Sequence, residues 1–151
     1  ARLTHPVDGS RRDAQATIRG DGESNASAMH MISRPTSEGQ TVEHWALDAG
    51  TADIATLDIP PSAQRRRVFA IDVRFVVRAT AEGAWQSLSV ELNGVREWSR
   101  RIATHGSTDT LDYHCRRELD VGQALRVRAL TQVGGAQRVR LLIEAEEQAG
   151  P

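Results

Sequence analysis

From Val68 to Ala79 every second residue is apolar: Phe69, Ile71, Val73, Phe75, Val77 and Ala79 alternate with positions that include Asp72, Arg74 and Arg78. A period of two marks a β-strand with one face on a core and the other toward water. The alternation recurs at Leu88, Val90 and Leu92, at Leu125, Val127 and Ala129, and at Val139, Leu141 and Ile143. Shorter runs precede these, at Ala14, Ala16 and Ile18, at Met29 and Met31, and at Ala55, Leu57 and Ile59. Residues 42–47 alternate as well, yet either Val42, His44 and Ala46 or Glu43, Trp45 and Leu47 can form the buried face. Helical spacing is absent.

Turn formers separate these runs. Pro60-Pro61 ends a ladder because proline supplies no donor. Asn93-Gly94 predicts a two-residue type I′ hairpin, in which both central residues take positive φ, with Leu92 facing Val95 and Glu91 facing Arg96. Gly134-Gly135-Ala136 predicts a second hairpin, with Val133 opposite Gln137 and Arg126 opposite Glu144. The fold expected is all-β: a two-layer antiparallel sandwich of seven to nine strands in jelly-roll-like order. A loose arm at 1–12, one sandwich domain at 13–147 and a tail at 148–151 complete the organisation.

Composition refines this picture only slightly. A chain of 151 residues can bury roughly two-thirds of its unfolded surface without disulfides or metal. All 19 basic side chains are arginine, the usage of a GC-rich bacterial genome, and they nearly balance 20 acids, so no bulk attraction to nucleic acid or membrane is expected. Residues 65–151 hold 14 of those arginines against 11 acids, which allows a basic face in the second half. The single Cys115 cannot close an internal disulfide. No run of about 18 apolar residues exists, and the N-terminus shows no signal-peptide pattern.

Candidate chemistry falls in four places. His105, Asp109, Asp112 and His114 form the densest polar cluster, between two strands, where loop-borne sites tend to sit. In an extended Tyr113–Arg117 segment, however, His114 and Cys115 point to opposite faces and cannot act as base and nucleophile together. Asp21, Glu23 and Asn25 alternate oxygen ligands suited to a hard cation, but lack the later bidentate carboxylate of a calcium loop, so no metal or other cofactor is expected. In the simple hairpin register Trp98 shares a face with Ser89, Glu91 and Arg96 and is exposed, as an indole that holds a sugar ring must be. Arg74, Arg78, Arg126, Arg128, Arg138 and Arg140 fall on outward strand positions and would form one arginine lattice if those strands were neighbours.

Together these features point first to a non-catalytic binding module for a glycan or other polar, anionic ligand, using Trp98, Arg96, Arg74, Arg78, Arg126 and Arg128. The alternative is a structural subunit of a homo-oligomer, suggested by Val76, Leu130 and Leu142 interrupting the polar face. An enzyme built on the His105–His114 segment ranks third.

Overall fold

The computed structural model describes residues 16–19, 30–35 and 41–149. Ten strands follow one another: β1 Ala16–Arg19, β2 His30–Pro35, β3 Thr41–Asp48, β4 Ile54–Ile59, β5 Arg67–Ala79, β6 Trp85–Leu92, β7 Val95–Ala103, β8 Asp109–Leu119, β9 Leu125–Gly134 and β10 Ala136–Glu147. They form two antiparallel sheets, sheet A in the order β1-β4-β9-β6-β7 and sheet B in the order β2-β3-β10-β5-β8. The eight strands from β3 to β10 pass between the layers in jelly-roll order, changing sheet at every connection except the β6–β7 hairpin, with β1 and β2 added at the outer edges. No helix among the described residues is long and apolar enough to cross a membrane.

The core is the row of residues the alternation selects. Phe69, Ile71, Val73, Phe75 and Val77 of β5 are fully buried and meet Leu88, Val90, Val127 and Ala129 of the opposite sheet. In β3 the buried face is Glu43, Trp45 and Leu47. That choice puts a carboxylate inside, and it is stabilised there by arginine. Glu43 accepts from Arg67, while Glu147 accepts from Arg65 and from the backbone N–H of Glu43. The four side chains tie together β3, the start of β5 and the end of β10.

The Asn93-Gly94 turn has φ of 49° and 82°, with Leu92 opposite Val95 and Glu91 opposite Arg96. Beyond it the register shifts, so that Val90 pairs with Trp98 and Glu97 becomes an extra residue. A one-residue bulge exchanges the faces of everything after it. Trp98 therefore turns inward beside Val90, and its expected place alongside Ser89 and Arg96 is corrected.

The second expected hairpin does not form. At Gly135, φ 58°, the chain leaves sheet A and enters sheet B, and the Gly135 carbonyl accepts from the N–H groups of Thr80 and Ala81. Arg126 pairs with Asp58, Gln137 with Arg78, and Glu144 with Asp72 and Ala46. Leu125, Val127 and Ala129 still share one interior with Leu141 and Ile143, because facing layers satisfy the same alternation as a hairpin. Val139 is an exception. A bulge between Arg138 and Arg140 ejects it, leaving it 47% exposed.

Candidate functional site

Sheet A carries a depression on its outer face, built by small side chains on a central strand. In β6 the outward positions are Trp85, Ser87, Ser89 and Glu91. Ser89 sits between Ser99 of β7 and Leu130 of β9, and Ser87 between Arg101 and Gln132. Where large residues would fill the pleat, serines leave a groove of about 550 Å³. Ser89 Oγ and Ser99 Oγ lie 2.8 Å apart on its floor, hydrogen-bonded to each other and open to a ligand.

Trp85, the next outward residue of β6 before Ser87, stands beside the groove without lining it. Gly134 lies directly beneath its ring, so close that a Cβ there would fall 2.0 Å from Trp85 Nε1. The Arg101 guanidinium stands 3.6 Å above the ring centroid, a cation–π contact. Arg96, Arg100 and Arg138 line the rest of the groove, with Asp53 as its one carboxylate. Arg138 donates to the hydroxyl and carbonyl of Thr131. Arg96 and Arg100 make no ion pair among the described residues, and one oxygen of Asp53 is buried without a partner.

The expected site residues are distributed otherwise. Arg74 and Arg78 lie on sheet B, bound to Asp112 at 3.1 Å and to Gln137 at 2.5 Å. Arg126 and Arg128 lie on sheet A, bound to Asp58 at 2.7 Å and to Glu91 at 3.7 Å. The hydrogen bond and charge of Asp58 push the Arg126 guanidinium further up from its already high value. The six arginines thus belong to two opposite faces, and the single lattice is corrected to a set of cross-strand pairs. Leu130 is likewise separated from Val76 and Leu142, which occupy sheet B.

Trp98 is half-buried. It stacks on Tyr113 of β8 with ring centroids 4.9 Å apart and packs against the core, bridging the open edges of the two sheets. Burial, with the hydrogen bond to Cys115 next, pushes the Tyr113 hydroxyl up to about 12. Burial also raises the Cys115 thiol.

The polar segment does not converge. Asp109 caps its own loop, accepting from the backbone N–H groups of His105 and Thr110. Asp112 is bound to Arg74, and His114 Nδ1 lies 2.6 Å from Asp72 Oδ1 on the outer face of sheet B. Among the described residues no three His, Cys, Asp or Glu side chains could hold a metal ion together. Asp21, Glu23 and Asn25 lie outside the described residues.

The groove residues missed by sequence reasoning include Ser87, Ser89, Ser99, Arg100, Arg101 and Gln132. Their signal was the succession Trp85, Ser87, Ser89 on alternate positions of one strand, opposite an arginine-rich partner strand.

No family model matches the chain, and no curated protein is similar to it. Several solved structures match the chain at low similarity. A dimeric latent PorU from Porphyromonas gingivalis matches 91% of this chain and 14% of its own at 12% identity and a TM-score of 0.49. The Cry4Aa toxin of Bacillus thuringiensis matches 89% and 22% at 11% identity and 0.47. A family 35 carbohydrate binding module from Clostridium thermocellum matches 86% and 98% at 14% identity and 0.35. The chain therefore spans under a quarter of the first two proteins. Its jelly-roll topology follows from the strand pairing itself.

Proposed function

We propose that this chain is a non-catalytic binding module whose ligand, a glycan or another polar molecule, lies in the groove on the outer face of sheet A. The observation that carries the reading is the meeting, in one open depression, of paired serine hydroxyls, a glutamine amide and arginines that have no ion-pair partner among the described residues. Such groups are pre-placed donors and acceptors, and a ligand that satisfies them replaces water without rearranging the sheet. The paired arginines elsewhere on both faces hold strands together and are not available in the same way.

A glycan array probed with the native chain and with Ser89→Phe tests the reading, since phenylalanine at that outward position fills the groove and leaves the core untouched. The expected result is a bound glycan that is lost in the variant at unchanged melting temperature. An array without hits, or a hit that survives Ser89→Phe, contradicts it.

A further inference from the structure

The groove's ligand can be narrowed by asking where every aromatic ring in the chain lies. Neutral sugars are commonly held by resting an apolar C–H face on an indole or phenol, and nucleobases by stacking on the same surfaces. The chain has six such rings. Trp45, Phe69 and Phe75 are fully buried. Trp98 and Tyr113 occupy each other. Trp85, the one ring beside the groove, lies against Gly134 and is capped by Arg101. No tryptophan, tyrosine or phenylalanine ring lines the groove, so recognition in it has to come from hydrogen bonds and charge.

The charge has a definite sign. Four arginines line the groove against one aspartate. Two of the four are already engaged, Arg101 by the indole and Arg138 by Thr131. Arg96 and Arg100 remain, both on the edge strand β7 and both without an ion pair among the described residues. Arg96 stands opposite Glu91 on the outer face, and Arg100, opposite Leu88 beyond the bulge, borders the groove from the sheet edge. Each has a guanidinium fork that matches a carboxylate or sulfate oxygen pair. Beside them Ser87, Ser89, Ser99 and Gln132 offer the alternating donors and acceptors that a polyhydroxylated chain satisfies.

We propose that the sheet A groove takes an acidic saccharide, with its carboxylate or sulfate groups on Arg96 and Arg100 and its hydroxyls on the serine and glutamine floor. This rests on the reading of the groove as the binding site. It adds that a neutral saccharide lacks what the groove selects.

The test is titration calorimetry of the full chain with an oligogalacturonate, its carboxyl-reduced neutral counterpart, a heparin-derived oligosaccharide and a single-stranded oligonucleotide of similar charge. At least one acidic saccharide is expected to bind about tenfold or more tighter than the neutral one, the gain of a charge-assisted hydrogen bond. The binding should weaken as salt is raised. Arg96→Gln with Arg100→Gln should abolish the difference, while Arg96→Lys with Arg100→Lys keeps part of it, and both pairs should melt like the native chain. Equal binding of the neutral saccharide, or a preference that survives the glutamine pair, overturns the proposal and leaves the groove reading standing. An oligonucleotide bound as tightly as the saccharides overturns the assignment to a sugar. If none of the four binds, the acidic-saccharide proposal falls, and the glycan array decides whether the groove reading stands.

Discussion

Arg67 is the cation on which the buried charge cluster turns, and its removal has a calculable cost. Its side chain is 1% exposed and Glu43's is 9% exposed, and they are joined at 2.9 Å between Arg67 Nη1 and Glu43 Oε2. Arg67 Nη2 also donates to the Pro60 carbonyl at 2.8 Å, and the guanidinium lies 5.3 Å from the Phe69 ring centroid. In Arg67→Met, Glu43 keeps only Arg65, at 3.5 Å and with a side chain 43% exposed. Losing the charged hydrogen bond costs about 1.5–3 kcal/mol, and leaving the Pro60 carbonyl without its donor about 1 kcal/mol more. The sum, about 2.5–4 kcal/mol, overlaps the cost of breaking a buried pair by removing one partner. Adding Glu43→Leu removes the stranded carboxylate, so the double variant should recover most of the loss. Urea unfolding of the three chains measures both quantities. A single variant that loses less than about 1 kcal/mol, or a double variant no more stable than the single, would refute the claim that burial and pairing are coupled here.

Other consequences are equally direct. Tyr113 is the chain's one tyrosine, so phenolate absorbance reports it alone, and its titration should centre near 12 in the folded protein and near 10 after unfolding. Because the folded value is the higher one, its contribution to stability is intact below pH 10 and is lost as pH rises toward 12; a native midpoint near 10 would contradict the partial burial of Tyr113. Cys115, with its thiol raised by burial, should react with a disulfide reagent several-fold more slowly when folded than in urea, and equal rates would place it in solvent. Gly134→Ala drives a methyl group into the Trp85 ring and should cost about 1–3 kcal/mol as overpacking, with a change in tryptophan fluorescence; an unchanged melt and spectrum would deny the contact.

The layers of this fold were legible because side-chain alternation reports directly which residues share an interior. Phe69 through Val77, Leu88 through Leu92 and Leu125 through Ala129 all point inward as their pattern requires. Alternation cannot say whether two strands are neighbours or face each other across the core, which is why β9 and β10 read as a hairpin although they lie in different sheets. Nor does it register bulges, since an extra residue at Glu97 or Val139 leaves no mark in composition yet exchanges the faces beyond it. The site followed the same limits. Arg96 lines the groove, but the indole beside it is Trp85 rather than Trp98, and the serines that shape the floor carry no motif. They became visible only once the register set Ser89 against Ser99 and Ser87 against Gln132.

The central claim is that a ligand meets this protein on the outer face of sheet A. Amide chemical-shift mapping during titration with a saccharide bound by the native chain tests it most directly. The largest shifts are expected at Ser87, Ser89, Ser99, Arg100 and Gln132, with the outer face of sheet B unmoved. Shifts confined to the edge around Trp98 and Tyr113, or to the outer face carrying Arg74 and His114, would contradict it.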